Sequence, residues 1–115
     1  MTLRNDHLRR AIDALIAATN DFDVERALIL FTADAMIDDP STGHRFDGHA
    51  GVRDYIEQYF VGYHTVTRVL SIANLSKGRA RVRVDFTGDF GHEIGLLEIS
   101  VNTCGLIDRI DAHLE

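Results

Sequence analysis

An aspartate followed by proline is the feature of this sequence best suited to chemistry. Asp39-Pro40 ends a short apolar run and precedes the turn-forming residues Ser41-Thr42-Gly43. Apolar surroundings disfavour the charged form of a carboxylate, so an aspartate at the edge of an apolar cavity becomes a stronger base. Asp39 is therefore the candidate catalytic base. The competing interpretation is that Asp39 caps the turn after it, as an aspartate before proline commonly does.

Other reactive residue types show no arrangement of known chemistry. The six histidines lack the spacing of metal ligands on a helix, and the single cysteine, Cys104, has no second thiol with which to form a disulfide or a metal knuckle. The sequence also lacks a phosphate-binding glycine loop and the G-x-S-x-G nucleophile motif. We therefore expect no metal, no cofactor, and neither acyl nor phosphoryl transfer.

Composition and charge indicate one ordinary folded domain, residues 1–115. Apolar residues make up 45% and charged residues 26% of the chain, which is typical of a globular protein. The net charge of −6 disfavours a nucleic-acid partner, because phosphate binding needs clustered lysine and arginine. No apolar run reaches the roughly 18 residues of a membrane span, and the N-terminus is charged where a signal peptide is apolar. We expect a cytoplasmic protein with no membrane contact.

The elements that must position Asp39 begin with helices. Apolar residues at spacings of three and four predict a first helix over residues 3–19 and a second helix that Asp23 caps. After Gly48 the same spacing predicts a third helix, which Gly62 ends. The second apolar stripe holds Val24, Ala27, Leu28 and Phe31, and the third holds Val52, Tyr55, Ile56, Tyr59 and Phe60.

Strands are predicted between and after these helices. Residues 35–38 form a short strand that Pro40 ends, and the chain doubles back through residues 44–46 as a hairpin. Beyond His64 the apolar period changes to two, which predicts four antiparallel strands at about 64–75, 79–90, 92–102 and 106–114. Three helices against one face of a curved antiparallel sheet make an α+β fold that can enclose a pocket.

The two faces of the later strands differ in chemistry. The alternating sets are Val82, Val84 and Phe86 against Arg81, Arg83 and Asp85, and Leu97 and Ile99 against Glu98. Because successive side chains of a strand point to opposite faces, the two sets lie on opposite faces of the sheet, and the sequence leaves open which face carries Arg83 and Asp85. We expect the charged set to form cross-strand salt bridges on an outer face that a second subunit could cover.

Short motifs follow one another in a fixed order along nearly the whole chain. They are Ala27-Leu28 with Phe31, Ala33-Asp34-Ala35, Asp39-Pro40, Phe46-Asp47-Gly48, Val52, Tyr59-Phe60 and Gly105-Leu106-Ile107. In this order the sequence resembles the nuclear transport factor 2-like superfamily, and within it the SnoaL-like, polyketide cyclase-like and ketosteroid isomerase-like small proteins. The order and spacing of the motifs, rather than any one of them, carry the resemblance.

The resemblance implies a cone-shaped, cystatin-like fold, an α+β barrel with an apolar pocket between helices and sheet. It also implies a homodimer formed through the outer faces of the sheets, and it places the general base of ketosteroid isomerase-like enzymes on Asp39. The substrate-binding residues expected on this basis are Leu15, Tyr55, Tyr59, Phe60, Val82, Val84, Phe86, Leu97 and Ile99. His64 and His92, near strand starts, could line the same pocket.

The rest of the ketosteroid isomerase catalytic set does not carry over. The oxyanion-hole tyrosine falls on Leu15, and the protonated acid falls on Leu97, or on Glu98 if one residue is removed from the following turn. Glu98 lies on the polar face of its strand and is expected to point away from the pocket. Because each missing hydrogen bond to a developing enolate costs roughly 3 kcal/mol, we do not expect steroid isomerisation.

A second catalytic set is suggested by limonene epoxide hydrolase-like members of the superfamily, which use Arg-x-Asp and another aspartate on the last strand. Arg83-Val84-Asp85 matches the first part, but alternation places it opposite the apolar face, so it enters the pocket only if the apolar face is the dimer face. The other aspartate falls on Ala112, beside Asp111. We rank this chemistry below proton transfer.

These observations favour a protein with a pocket for a small apolar molecule, carbonyl-bearing or cyclic, on which Asp39 acts alone as the base of an isomerase, cyclase or hydrolase. The alternative is a non-catalytic ligand-binding or dimerisation module of the same fold. The sequence leaves open both the choice between them and the identity of the ligand.

Overall fold

A computed structural model describes residues 3–115, with side chains from residue 5 onward. Three helices pack on a curved, six-stranded sheet, which confirms the expected α+β layers. The helices are α1 (Leu3–Asn20), α2 (Val24–Leu28) and α3 (Gly48–Ile56), the last continued by a π-helical turn (Glu57–Val61). The strands are β1 (Phe31–Asp39), β2 (His44–Asp47), β3 (Val66–Ser76), β4 (Arg79–Gly88), β5 (Gly91–Val101) and β6 (Ile107–Leu114).

The sheet has the strand order β2-β1-β6-β5-β4-β3, with β2 and β3 at its edges. It differs from the expected antiparallel barrel in two ways, because β1 and β6 pair in parallel and the sheet is not closed. After the β3–β4–β5 meander, β6 returns to lie between β5 and β1. The direction of β6 is therefore set by its antiparallel neighbour β5.

The second helix is shorter, and the first strand longer, than the apolar pattern predicts. Asp23 caps α2 as expected, since its side chain accepts a hydrogen bond from the Arg26 N–H at 3.1 Å. Phe31, however, belongs to β1, where it pairs with Ile107 of β6, so its place in a helical stripe is corrected. The adjacent Leu30 carbonyl accepts a hydrogen bond from the Ile107 N–H at 2.8 Å. Pairing between distant segments thus overrides the local helical period.

The alternation in β4 and β5 separates the two faces of the sheet as predicted. The inner face carries buried apolar side chains that pack against α1 and α3, while arginine and glutamate side chains point outward. The core contains Leu8, Ile12, Val52, Val82, Val84, Ile99 and Ile107, all nearly or fully buried. Among residues 3–115, no helix is both long and apolar enough to cross a membrane.

Candidate functional site

An open pocket of about 390 Å³ lies between the C-terminal end of α3 and the sheet, and we call it the outer pocket. Half of its lining residues are aromatic, and its polar groups include Asp39 at the end of β1 and Glu93 on β5. Its aromatic residues are Tyr55, Tyr59, Phe60, Tyr63, Phe86 and Phe90. These rings contact one another in series along α3 and the following turn, with centroid separations near 5 to 6 Å. The outer pocket therefore suits a flat or cyclic apolar ligand.

Asp39 is held at this pocket by the turn that follows it. The residue is only 8% exposed. Its Oδ1 accepts hydrogen bonds from the Ser41 N–H at 3.1 Å and from the Ser41 hydroxyl at 2.6 Å. The Thr42 hydroxyl donates to the Asp39 carbonyl at 2.7 Å, which tightens the same turn. Asp39 thus makes the capping bonds that the turn interpretation predicts and also lines the outer pocket.

Tyr55 completes the surroundings of this carboxylate. Its hydroxyl donates a hydrogen bond to Asp39 Oδ2 at 2.5 Å across the boundary between α3 and β1. Burial of the ring, reinforced by the neighbouring Asp39 carboxylate, raises the pKa of Tyr55 well above its ordinary value. The hydroxyl therefore stays protonated at neutral pH. It remains available as a hydrogen-bond donor to Asp39 or to a group that enters the pocket.

The helical spacing of Tyr55 predicts a residue of the pocket wall but does not reveal its bond to Asp39. The two residues are 16 positions apart and lie on different elements, so no local spacing reveals the contact. A usable signal was present, because a tyrosine on the buried stripe of a helix usually needs a partner for its hydroxyl. Asp39, at the end of the preceding strand, was a polar residue available to provide that partner.

A second, narrow cavity of about 30 Å³ lies deeper, between α1, α3 and the sheet, and we call it the inner cavity. Tyr55 and Phe60 line both spaces and so form the partition between them. Apart from Thr19, Thr67 and the Tyr55 hydroxyl, its walls are apolar side chains. The other lining residues are Leu15, Ile16, Phe31, Ile37, Ile56, Leu97 and Ile110.

The expected substrate-binding residues divide among three places. Leu15 and Leu97 line the inner cavity, Tyr59 and Phe86 line the outer pocket, and Tyr55 and Phe60 lie between. The expectation is corrected for three residues, Val82, Val84 and Ile99, which line neither space.

Those three side chains are fully buried because α1 packs directly over β4 and β5. The suggested placement of His64 and His92 in the pocket is also corrected. Both are exposed, and they contact Asp89 at 2.8 Å and Asp85 at 2.7 Å.

Glu98 points away from both spaces, as its place on the strand predicts. Arg79 and Arg81 bind its carboxylate at 2.5 and 3.0 Å on the outer face. The hydrogen bond from Arg81, with a further contribution from Arg79, holds the pKa of Glu98 below its ordinary value. Leu97, the neighbouring residue, lines the inner cavity instead. Neither residue at the matched positions of β5 therefore provides an acidic hydrogen-bond donor at the pocket, and the acid of this strand that lines the outer pocket is Glu93, near its start.

The epoxide hydrolase-like set also lies outside the pocket. Arg83 binds Glu115 at 2.8 Å, and Asp85 binds Arg68 at 3.1 Å, in both cases on the outer face. Ala112, which occupies the position of the second aspartate on β6, is buried. Within residues 3–115, no cluster of three or more histidine, cysteine, aspartate or glutamate residues could hold a metal ion.

Comparison with known proteins places this geometry in context. The family model of the SnoaL-like domain matches residues 12–109. Among solved structures, the chain is similar to SalBIII, described as an epoxide hydrolase/cyclase-like enzyme in pyran ring formation in the polyether salinomycin. The TM-score is 0.85 at 16% identity, over 96% of this chain and 92% of that one.

Two further structures are similar. A candidate ketosteroid isomerase from Kribbella flavida has a TM-score of 0.83 at 19% identity, over 96% of this chain and 78% of that one. RV0760c from Mycobacterium tuberculosis, solved in complex with estradiol-17beta-hemisuccinate, has a TM-score of 0.82 at 16% identity, over 95% and 94%. No curated protein sequence matches the chain. At these identities, the likeness to solved structures shows the fold.

Proposed function

The chain belongs to the SnoaL-like domain family, and from that premise we propose that it binds a small apolar cyclic ligand in the outer pocket and moves a proton on it with Asp39. One observation carries this proposal. A nearly buried carboxylate lines a pocket of about 390 Å³ in which half of the lining residues are aromatic. Spaces of this size accept drug-sized ligands, and a few polar groups in an apolar wall fix the ligand's orientation.

The ligand class follows from the walls and is supported by the structural neighbours. The tilted and edge-to-face aromatic side chains of this pocket favour the faces and edges of rings over open chains. RV0760c was solved with a steroid derivative, and SalBIII is described in pyran ring formation. Both descriptions involve cyclic molecules that carry oxygen. A carbonyl group on such a ring would acidify the neighbouring C–H bonds and make them substrates for a carboxylate base.

In the proposed step, an Asp39 oxygen takes a proton from a carbon next to the ligand's carbonyl. The C–H electron pair becomes the C=C bond of an enolate, and the carbonyl π electrons move onto oxygen. The Tyr55 hydroxyl turns from Asp39 to that oxygen and stabilises its charge. The raised pKa of Tyr55 keeps this donor protonated. If the ligand also has a C=C bond attached to that carbon, the enolate is conjugated with it; return of the proton from Asp39 to the far end of this C=C bond moves the double bond and completes an isomerisation.

The test follows the exchange of carbon-bound protons with solvent. The protein is incubated with trans-2-decalone in heavy water, and loss of the protons next to the carbonyl is measured by NMR. We expect Asp39→Asn to slow the exchange at least about 100-fold while decalone binding is retained. Asp38→Asn is the matched control, because the same substitution falls on the opposite face of β1 and should leave exchange unchanged. Absence of decalone binding to the wild-type protein would contradict the proposed ligand class.

A second candidate function, ligand binding without chemistry, is favoured by a different observation. Both oxygens of Asp39 already accept hydrogen bonds, Oδ1 from Ser41 and Oδ2 from Tyr55. A carboxylate bound in this way has a structural role that needs no chemistry, because it caps the turn and pairs with a buried hydroxyl. The same experiment separates the two functions, because a binding module would bind decalone and show no exchange above that of a protein-free sample.

We also propose that the protein forms a homodimer through the outer face of the sheet. The outward residues of β4 and β5 include several arginines and Glu98, which are joined by ion pairs within one chain. A face with both charge signs in a fixed register can meet a second copy of itself in a symmetric interface. Its aliphatic side-chain stems would add apolar area to the contact.

A further inference from the structure

The hydroxyl of Thr67 is buried at the inner cavity and has no hydrogen-bond partner among residues 5–115. The residue is 3% exposed, at the start of the edge strand β3. A buried hydroxyl without a partner is destabilising, and most such groups in folded proteins find one. The hydroxyl of Thr67 is therefore a buried polar group that makes no hydrogen bond to the described residues.

The backbone around this hydroxyl is fixed. The side-chain amide of Asn20, at the end of α1, donates to the Thr67 carbonyl at 2.9 Å and accepts from the Thr67 N–H at 2.7 Å. Both backbone polar groups of Thr67 are thereby satisfied, and its position relative to α1 is set. A side chain on such a pinned residue loses little further freedom when it binds a ligand.

Thr19 provides an internal contrast in the same cavity. It is also 3% exposed, but its hydroxyl donates to the Leu15 carbonyl at 2.9 Å within α1. Two threonines of equal burial therefore line one small space, and only Thr67 keeps its hydroxyl proton free for another acceptor. The residues that line this cavity carry no charge, so an ion entering it would be desolvated without a counterion.

We propose that the inner cavity is the distal end of the ligand site and that Thr67 binds a neutral ligand oxygen there, a ketone or a hydroxyl. This inference rests on the proposed function and narrows its ligand to an apolar cyclic molecule with an oxygen at each end. One oxygen faces Asp39 and Tyr55, and the other faces Thr67. Displacement of the Tyr55 and Phe60 side chains, which line both spaces, joins the inner cavity to the outer pocket.

The experiment compares ketones that differ by one oxygen. Binding of trans-decalin-2,6-dione and trans-2-decalone is measured by calorimetry for the wild-type protein, Thr67→Val and Thr19→Val. A second pair, the corresponding tricyclic perhydroanthracene ketones, covers a longer separation between oxygens. We expect the wild-type protein to bind the dione of at least one pair about tenfold more tightly than its monoketone. Thr67→Val should lose that preference and Thr19→Val should keep it.

Folding of the variant is checked independently. Valine has nearly the shape of threonine, and Thr67→Val removes an unpaired polar group, so this variant should melt at or above the wild-type temperature. A lower melting temperature would show that the hydroxyl has a partner in solution and would overturn the inference.

A dione preference absent from the wild-type protein, or retained in Thr67→Val, would overturn the inference and leave the proposed function standing. Failure of every ketone to bind would instead overturn the proposed function, and this inference with it.

Discussion

The two faces of the sheet use polar residues in opposite ways. On the outer face, charged residues of neighbouring strands pair across the register, as Arg81 does with Glu98, and they remain partly exposed. On the inner face, polar groups are few and buried, and those that pair do so between different elements. The Tyr55 bond to Asp39 joins α3 to β1. Polar pairing along a sheet therefore follows from strand register, whereas polar pairing inside the core depends on the whole fold.

The energetic meaning of a polar group differs between the two faces as well. Exposed ion pairs contribute little to stability, because water screens them and long side chains must be ordered to form them. Buried polar groups must be satisfied, or they weaken the fold. Asp39 and Thr67 on the inner face, with Tyr55 of α3, are kept in spite of this cost, and a function in ligand binding is proposed for them.

The largest effect should come from removing apolar volume on the inner face. Ile99 is fully buried on β5, so Ile99→Ala should leave a cavity and lower the free energy of unfolding by about 3 kcal/mol. Ser100→Ala, one residue later and on the outer face, is the control and should change it by less than about 0.5 kcal/mol. Urea unfolding measures both. Equal costs at the two positions would remove the distinction between the faces.

An intermediate effect is expected from the buried polar pair. Tyr55→Phe leaves Asp39 Oδ2 without its donor and should lower the free energy of unfolding by about 2 kcal/mol at neutral pH. The pKa of Tyr55 is raised in the folded protein, so the unfolded chain loses this proton first as the pH increases. Wild-type stability should therefore fall as the pH rises above the ordinary tyrosine pKa of about 10.

Urea unfolding at neutral pH and at about pH 10.5 tests this linkage. Tyr55→Phe should lack the part of the alkaline decline that the wild-type protein shows. Tyr63→Phe removes a hydroxyl from an exposed ring and should keep the wild-type decline. If Tyr55→Phe declined as steeply as the wild-type protein, Tyr55 would not be the group that loses its proton.

The smallest effect on stability is expected on the outer face. Arg83→Glu breaks an exposed pair with Glu115 and should leave the unfolding of the single chain close to that of the wild-type protein. If the outer face forms the homodimer, the same change should halve the mass measured by light scattering. Arg9→Glu, a charge reversal on α1, should leave the mass unchanged. A dimer that persists in Arg83→Glu would contradict the proposed interface.

The sequence was sufficient for those features that depend on neighbouring residues. The strands from residue 66 onward, their inward and outward faces and the cap of Asp39 on Ser41 all follow from spacing or turn chemistry. The parallel pairing of β1 with β6 could not be predicted in this way, because it joins segments about seventy residues apart. Phe31 shows the same limit, because pairing with Ile107 places it in a strand although its sequence spacing is helical.

The candidate site was predicted in part, for the same reason. Asp39 and the aromatic wall were identified from one strand end and one helical stripe. The hydrogen bond of the Tyr55 hydroxyl and the unpaired hydroxyl of Thr67 depend on how α1, α3 and the sheet pack together. The local spacing of residues does not determine that packing. The core positions of Val82, Val84 and Ile99 also depend on the placement of α1 over the sheet.

The strand order has a consequence for how the protein is made. Since β6 lies between β1 and β5, the early hairpin of β1 and β2 joins the rest of the sheet through the last strand to be synthesised. During translation, the strand that carries Asp39 must wait for residues 107–114 to leave the ribosome before it gains its inner neighbour. Loop closure over so long a segment is slow, and it favours a single late folding step. A chain stalled before β6 would thus have neither a finished sheet nor a pocket.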